Sequence, residues 1–250
     1  MTPGKGTTPT GTATEAQASA YVREMFGRVA PRYDLLNHLL SFQTDRYWRA
    51  ITVRRVAHIL QRPNARVVDL CCGTGDLTLA LQAKAHETAR IQGSDFCHPM
   101  LVTASRKSLD CGALITYLEA DALQLPLAEG SFDLITVAFG FRNFANYRKG
   151  LIELRRVLRP GGQLAILEFS QPPNPIFRGA YNWYSRHILP RVGAMISGSS
   201  DAYTYLPESV RKFPGPDELA VEMRDCGFDT VEYTRMTFGI VALHIGTIRS

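Results

Sequence analysis

The stretch from Arg66 to Asp76, Arg-Val-Val-Asp-Leu-Cys-Cys-Gly-Thr-Gly-Asp, is the feature that most constrains the fold of this chain. Its first half, Arg66 to Cys71, is mostly apolar and β-branched, which is typical of a buried strand. A Gly73-Thr74-Gly75 turn follows, and an amphipathic helical pattern begins at Leu77. Strand, glycine turn and helix form the start of a βαβ unit, whose turn is a ligand site at the carboxyl end of the strand. Glycines there let the backbone approach a ligand closely, because no Cβ intervenes.

The rest of the chain alternates between predicted strands and helices. After the first strand, strands are predicted at 91–95, 115–118, 132–139 and 164–169, and helices at 99–108, 151–158 and 217–226. Residues 230–235 and 240–248 are predicted to be two consecutive strands that form a terminal hairpin. This order predicts an α/β fold with a doubly wound, seven-stranded sheet and a terminal antiparallel strand. The 250 residues are enough for one such domain.

Three regions outside the sheet are distinguished by composition. Residues 1–17 are rich in Thr, Gly and Pro and lack aromatic residues, so a disordered tail is predicted. Residues 18–62 hold one helical pattern that ends at Pro31 and another from about Asp45, and are too few for a core of their own. We expect them to form an N-terminal helical cap over the ligand cleft. The main domain then spans 63–250, with an irregular insertion at 171–216 on the substrate side.

The composition argues against several classes of site. A formal charge of +5 indicates only a mild preference for anionic surfaces. The five cysteines include no C-x-x-C pair, which favours reduced thiols over disulfides or zinc. The six histidines are scattered, so no metal site is predicted. No run of about 18 apolar residues occurs, so no membrane-spanning helix is predicted.

Residues around the glycine turn narrow the choice of ligand. The dinucleotide fingerprint needs a third glycine at position 78, where this chain has Thr78, and this argues against a pyrophosphate. Asp95 ends the second strand and can accept hydrogen bonds from both ribose hydroxyls of an adenosine. Asp121-Ala122 ends the third strand and can meet an adenine edge, while Asp69 can orient the loop or meet a ligand amine. Each aspartate alone can be a helix cap or turn former. Together they suit adenosine with an amino-acid moiety and no phosphate, which describes S-adenosylmethionine.

Further motifs resemble a known family. The stretch from Val67 to Asp76 looks like the first motif of class I methyltransferases. Three others are Tyr33-Asp-Leu-Leu-Asn-His-Leu-Leu-Ser-Phe with Tyr47-Trp-Arg, Phe139-Gly-Phe-Arg-Asn, and Arg156-Val-Leu-Arg-Pro-Gly-Gly-Gln-Leu-Ala-Ile-Leu-Glu-Phe-Ser. Together they resemble the ubiquinone/menaquinone C-methyltransferases, the UbiE/COQ5 family, over residues 20–250. The resemblance implies a Rossmann-like class I methyltransferase fold, S-adenosylmethionine as methyl donor, and a polyprenylated benzoquinol or naphthoquinol as substrate.

The residues expected to bind the cofactor combine the glycine turn with positions that the family motifs imply. They are Asp69, Gly73, Thr74, Gly75, Asp95, Phe96, Asp121, Ala122 and Ala138. Many relatives carry serine where this chain has Ala138, which offers only backbone groups. The Cys71-Cys72 pair is a second departure, because Gly or Ala is common in that part of the loop.

Arg142 and Asn143 are the predicted catalytic residues. They follow the fourth strand, where substrate meets cofactor in this fold, and a guanidinium can hold a quinolate or orient a water that acts as base. Asn143 can fix that loop through its side chain. The alternative for Arg142 is an ordinary loop arginine that pairs with an Asp or Glu. The family motifs imply quinol contacts for Tyr33, Asp34, Asn37 and Phe139, and a helix start is the alternative for the first three. Quinol contacts are also predicted for Tyr203 and Tyr205, because residues two apart in an extended segment place both rings on one side, with ordinary packing as the alternative.

Residues 176–196 mix aromatic and basic side chains, which suits a membrane interface. The isoprenoid tail of the substrate cannot leave a bilayer cheaply, so we expect a cytoplasmic enzyme in weak peripheral contact with the inner face of the membrane. A buried helix pair or a homodimer surface is the competing interpretation.

Two other functions were weighed against quinol methylation. Methylation of another lipid or small molecule uses the same cofactor site, but does not account for the motifs at 33–37 and 139–143 together. For a nucleic-acid methyltransferase, Asn174-Pro-Ile-Phe follows the fifth strand, whereas the base-methylating N-P-P-Y motif follows the fourth. No Pro-Cys pair or basic low-complexity arm is present either, so no nucleic-acid partner is expected.

Overall fold

The computed structural model describes residues 6–30, 33–187 and 201–249. The side chains of a few helical residues in these ranges, including Asn37 and Tyr203, lie outside the described part of the structure, as do residues 188–196 of the predicted membrane segment. Among the helices described, none is both long enough and apolar enough to cross a bilayer.

A mixed seven-stranded sheet forms the centre of the fold, with the strand order β3-β2-β1-β4-β5-β7-β6. The strands are β1 (Arg66–Leu70), β2 (Arg90–Asp95), β3 (Thr116–Glu119), β4 (Phe132–Ala138), β5 (Leu158–Phe169), β6 (Thr230–Met236) and β7 (Val241–Thr247). Strands β1 to β5 are parallel, and β7 runs antiparallel between β5 and β6. The predicted doubly wound fold is confirmed. The strand order reverses between β1 and β4, which is where open α/β sheets bind ligands.

Helices cover both faces of the sheet and form the cap. They are α1 (Glu15–Val29), α2 (Tyr33–Leu40), α3 (Thr44–Leu60), α4 (Asp76–Gln82), α5 (His98–Asp110), α6 (Tyr147–Val157), α7 (Pro175–His187), α8 (Asp201–Lys212) and α9 (Pro216–Asp225). Short 3-10 turns occupy Phe141–Asn143 and Thr237–Gly239. Helix α1 begins with a capping box. The Thr14 side chain accepts a hydrogen bond from the backbone N–H of Gln17, and the Gln17 side chain accepts one from the backbone N–H of Thr14.

The central strands are buried on both faces, so neighbouring residues of one strand belong to opposite layers of the core. Val67 of β1 and Leu134 of β4 pack with α3 and α4 on one face. Val68 and Ile135 pack with α6 and α9 on the other. This sandwich leaves the carboxyl ends of the parallel strands facing the cap.

The predicted irregular insertion at 171–216 is wrong, because α7 and α8 occupy much of it. Its many prolines favour irregular structure, but Pro175 is the first residue of α7, where a missing N–H has no helical partner to lose. Among the described prolines of this region, only Pro207 lies in the interior of a helix. The local pattern therefore overestimated how strongly prolines exclude helices here.

The N-terminal boundary also differs from its prediction. Helix α1 begins at Glu15, three residues before the predicted start at Ala18. Before it, Thr7 is buried, and its N–H donates to the carbonyl of Phe144 at 2.8 Å. Residues 6–14 therefore pack against the main domain, where a disordered tail over 1–17 was predicted from composition.

Candidate active site

A cleft with about 710 Å³ of empty space, including the part open to solvent, lies at the carboxyl ends of β1 to β4. Its walls include five of the nine predicted cofactor residues, which are Gly73, Asp95, Phe96, Asp121 and Ala122. The cap contributes Ser19, Phe26 and Tyr33, and the segment after β4 contributes Phe139, Gly140, Asn143, Phe144 and Ala145. The cleft is thus enclosed by the strand ends below and the cap above.

Asp95 is the acidic group best placed to bind a cofactor. Its two oxygens accept hydrogen bonds from the N–H groups of Gly73 and Cys97, each at 2.9 Å. Burial raises the pKa of Asp95 to about 6, although those backbone donors favour the carboxylate. Each carboxylate oxygen can accept a second bond, so the pair of oxygens on the cleft wall suits the two ribose hydroxyls of an adenosine. Asp121, at the end of β3, adds a second acid to the same wall.

The other four predicted cofactor residues do not line the cleft. Asp69 is buried beneath it and accepts hydrogen bonds from Thr78 and Thr136, both at 2.6 Å. Thr78, which stands where a dinucleotide-binding loop has glycine, therefore ties α4 to the first strand. Gly75 begins α4, and Ala138 packs in the core beside α3 and α4. The loop-orienting role foreseen for Asp69 fits this position, and contact with a ligand amine does not.

Thr74 and Asp34 connect the glycine loop to the cap. The hydroxyl of Thr74 donates to the carboxylate of Asp34 on α2. Lys107 of α5 bridges Asp34, at 2.9 Å, and Asp76 at the start of α4. Asp34 was predicted to contact the quinol, but it lines neither cavity described here. Its contacts hold the cap down on the loop.

A second and larger cavity lies between the cap and the main domain, with about 1440 Å³ of empty space including its open part. Its lining is mostly aromatic and aliphatic, which suits a large, flat and apolar ligand. The residues are Met25, Phe26, Val29, Tyr33, Ser41, Phe42, Thr44, Asp45, Trp48, Arg49, Phe139, Arg142, Phe169, Tyr181, Tyr184, Tyr205, Leu206, Thr237 and Ile240. Three predicted quinol contacts, Tyr33, Phe139 and Tyr205, are among them.

The two cavities share a wall. Phe26, Tyr33 and Phe139 line both of them. Phe139 adopts a left-handed backbone conformation, with φ of 58°, as the chain leaves β4. Its ring also packs on Phe169 at 4.8 Å between centroids and on Trp48 at 5.8 Å. A ligand in the polar cleft and a ligand in the aromatic cavity would therefore meet at these three side chains.

Arg142 lines the aromatic cavity and is also half of a buried ion pair. Its Nη1 lies 3.1 Å from Oε1 of Glu168, and its backbone N–H donates to the same carboxylate at 3.2 Å. Burial by itself lowers the pKa of Arg142, but the effect of the nearby Glu168 is larger. The pKa is therefore raised, and the guanidinium stays protonated. None of the residues described accepts a hydrogen bond from its buried Nε. Arg142 therefore does pair with a glutamate, as the alternative predicted, and it also has a buried donor that no described residue uses.

Asn143 and Tyr205 are joined directly. The Tyr205 hydroxyl donates to Oδ1 of Asn143 at 3.0 Å. Tyr205 lies on α8, whereas it was predicted on an extended segment where residues two apart share a side. The extended geometry on which that argument depended is therefore wrong for this segment. The side chains of Tyr203 and Asn37, also predicted to contact the quinol, lie outside the described residues.

Several aromatic residues of the larger cavity were not predicted to bind substrate. Trp48 of α3 and Phe169 at the end of β5 carry no individual signal beyond apolarity. Tyr181 and Tyr184 were assigned to a membrane interface, yet both line this cavity. Their spacing of three residues places them on one face of a helix, a signal that was available once α7 was recognised.

Comparison with solved structures places the chain in a class of fold. A methyltransferase dependent on S-adenosylmethionine from Thermotoga maritima matches 90% of this chain and 99% of its own length, with a TM-score of 0.62 at 18% identity. One from Aquifex aeolicus matches 78% and 88%, with a TM-score of 0.55 at 17% identity. The chain therefore has the fold of class I methyltransferases.

The particular family follows from sequence. The model of the ubiE/COQ5 methyltransferase family matches residues 13–248, and the chain belongs to that family, as predicted. It is 50% identical to a demethylmenaquinone methyltransferase of Thermus thermophilus over 222 residues, which are 89% of this chain and 99% of that protein. Identity is 46% over 224 residues to a ubiquinone/menaquinone biosynthesis C-methyltransferase of Syntrophotalea carbinolica, covering 90% of this chain and 92% of that protein.

Cofactor affinity is expected to increase as the pH rises through about 6, the value to which burial raises the pKa of Asp95. Only the ionised carboxylate can accept from two hydroxyls while keeping both backbone bonds. Calorimetric titration with S-adenosylmethionine between pH 5 and 7.5 measures this trend, and Asp95→Asn should flatten it. Folding stability should change with pH in the opposite direction to cofactor affinity. The raised pKa means that the folded state favours the protonated acid, so the contribution of Asp95 to stability is present at low pH and is lost as the pH rises through about 6. A dissociation constant independent of pH in the unmodified enzyme would contradict the role of Asp95.

Proposed function

We propose that this enzyme transfers a methyl group from S-adenosylmethionine to a ring carbon of a polyprenylated quinol, converting a demethylmenaquinol into a menaquinol. The observation that carries the proposal is the wall of Phe26, Tyr33 and Phe139 shared by an acidic cofactor cleft and a large aromatic cavity. The names of the relatives at 46–50% identity support it. The benzoquinol step of ubiquinone synthesis needs the same chemistry and is the second candidate substrate.

Positioning is the larger part of the catalytic task. The bound cofactor supplies an already activated sulfonium methyl, so the protein has to hold a carbon nucleophile in line with it and exclude water. Near-attack geometry provides roughly 7–11 kcal/mol. Ionising a phenol of pKa about 10 at pH 7 requires only about 4 kcal/mol. The aromatic rings at the shared wall are suited to the first task, because they can enclose a flat quinol.

Arg142 is suited to the second task. A guanidinium stays protonated, so it cannot itself remove the quinol proton. It can hold the resulting quinolate oxygen, or orient the water that takes the proton. Glu168 fixes the guanidinium through a bond from Nη1, while the buried Nε has no acceptor among the described residues. That donor supports a charge-assisted hydrogen bond to the substrate oxygen.

The direct test is incubation of the enzyme with S-adenosylmethionine and a short-chain demethylmenaquinol under reducing conditions, with mass spectrometry of the product. A mass increase of one methyl group on the ring is expected. A short-chain benzoquinol measures the second candidate, and the oxidised naphthoquinone is the matched control, because it lacks the nucleophile. Binding of the cofactor without methylation of either quinol would contradict the proposal.

We further propose that the aromatic cavity opens onto a lipid surface, from which the isoprenoid tail is never fully withdrawn. Two exposed apolar side chains support this: Ile176 on α7, 84% exposed, and Phe238 in the link between β6 and β7, 78% exposed. The ring of Phe238 lies 5.1 Å from that of Phe177, so the two exposed positions are neighbours. The adjoining link residues, Thr237 and Ile240, line the cavity. Phe238 is held outward by a left-handed backbone, with φ of 55°, which is uncommon for an aromatic residue.

The double variant Ile176→Ser/Phe238→Ser should bind vesicles containing phosphatidylglycerol at least about a hundredfold more weakly, since inserting each such side chain contributes about 1.5–3 kcal/mol. Co-sedimentation at low salt measures this binding. Leu114→Ser is the control, because Leu114 is 94% exposed but lines neither cavity. Equal vesicle binding by the double variant and the unmodified enzyme would mean that the membrane contact lies elsewhere. A dimer in solution that buries Ile176 and Phe238 would give a different reason for their exposure in the single chain.

A further inference from the structure

Residues 6–14, here called the N-terminal strap, are fixed against the catalytic segment after β4. The N–H of Thr7 donates to the carbonyl of Phe144 at 2.8 Å, and Lys212 of α8 donates to the carbonyl of Thr8 at 3.0 Å. Gly6 approaches so closely that a Cβ there would lie 1.9 Å from the carbonyl oxygen of Ala145. The strap therefore packs on Phe144 and Ala145, which line the cofactor cleft.

A chain of hydroxyl hydrogen bonds runs from the strap into the active site. The Thr7 hydroxyl lies 2.7 Å from the Tyr205 hydroxyl, which in turn donates to Oδ1 of Asn143 at 3.0 Å. A tyrosine hydroxyl has one proton, and here Asn143 receives it. Thr7 must therefore be the donor to Tyr205, so the direction of the chain is fixed from the strap to Asn143.

The Asn143 amide lies with Oδ1 toward Tyr205, and this orientation makes Tyr205 the donor in the pair. With Oδ1 turned toward Tyr205, the Nδ2 group is left as a donor, and no residue in the described ranges accepts from it. Asn143 lines the cofactor cleft, and Tyr205 lines the aromatic cavity. The hydrogen-bonded chain thus passes between the two cavities, near the wall where the reactants would meet.

We propose that Thr7 is a positioning residue for methyl transfer. Through Tyr205 it holds the Asn143 amide with Nδ2 directed to an oxygen of the bound quinol. The inference rests on the proposed function for the identity of that oxygen. The strap has a low-complexity composition, yet the Thr7 side chain is buried and its hydroxyl bond spans 198 positions of sequence. These contacts are the reason to assign the segment a role.

Thr7→Val removes the hydroxyl at nearly constant volume and is expected to lower kcat for a short-chain demethylmenaquinol about tenfold, with the cofactor dissociation constant unchanged. Thr7→Ser restores the donor and should recover kcat. Thr10→Val is the matched control, because Thr10 is an exposed threonine of the same strap. Gly6→Ala should reproduce the loss, since the added methyl group displaces the whole strap. Equal kcat for Thr7→Val and Thr10→Val, or failure of Thr7→Ser to recover it, would overturn the proposal.

Hydrogen–deuterium exchange gives a readout that needs no turnover. Peptides containing Thr7, Asn143 and Tyr205 should be protected in the unmodified enzyme and in Thr7→Ser, and should exchange faster in Thr7→Val and Gly6→Ala. Rapid exchange around Thr7 in the unmodified enzyme would refute the docked strap. Protection in this pattern, without methylation of any quinol by the unmodified enzyme, would confirm the strap contacts and contradict the proposed substrate. The positioning role toward a quinol would then be contradicted as well.

Discussion

Arg142→Gln is expected to slow methyl transfer by about 100- to 1000-fold, the usual effect of removing one donor to a developing oxyanion. Arg142 lines the aromatic cavity, and its buried Nε has no acceptor among the described residues. The same substitution should lower the free energy of unfolding by about 3–5 kcal/mol, because Glu168 is left buried without its cation. Single-turnover kinetics and denaturant unfolding measure the two effects separately.

The double variant Arg142→Gln/Glu168→Gln distinguishes catalysis from scaffolding. Replacing both charges removes the unpaired carboxylate, so most of the lost stability should return. The rate should stay low, because neither variant keeps the Arg142 cation. If the double variant recovers the rate as well as the stability, Arg142 is only the partner of Glu168, and the quinolate must be stabilised by another group.

The sequence alone could predict those cofactor residues that lie at the ends of strands. In a parallel sheet the carboxyl ends of successive strands meet at one edge, so Asp95 and Asp121 could be assigned to one cleft without knowledge of the packing. Asp69 and Thr74 were near the turn by the same logic, yet they face other partners. Thr136 lies 67 positions from Asp69, and Asp34 lies 40 positions from Thr74. Such pairings depend on how β4 and the cap are placed in space, which no local pattern specifies.

The residues that line the aromatic cavity could mostly not be predicted from sequence, for the same reason. Its walls come from α1, α2, the α2–α3 turn, α3, the segment after β4, the end of β5, α7, α8 and the β6–β7 link, and each contributes only one to four residues. Apolar residues such as Trp48 and Phe169 have the same local signature whether they line a cavity or fill a core. Tyr205 was predicted from the spacing of an aromatic pair, but the argument assumed an extended chain where the structure has a helix. The strap was missed because composition says nothing about a single buried threonine.

Gly140→Ala should reduce the rate of methyl transfer by about 100-fold, which a displacement of about 1 Å in an active site can cause. A Cβ at Gly140 would lie 2.3 Å from Cβ of Cys71, closer than any two such atoms can approach. Both residues line the cofactor cleft, so the overlap has to move the end of β1 away from the end of β4. Overpacking of this kind also lowers stability by about 1–3 kcal/mol.

Cys71→Gly should rescue Gly140→Ala, because it removes the other partner of the overlap. Cys71 has φ of 51°, a backbone conformation that glycine adopts without strain, so the rescuing substitution brings little strain of its own. A double-mutant cycle in kcat/KM and unfolding free energy should therefore show strong positive coupling between the two positions. Strictly additive effects would mean that β1 and β4 do not approach each other this closely. With cysteine at position 71, position 140 must be glycine, because a Cβ there would also lie 2.9 Å from Sγ of Cys71.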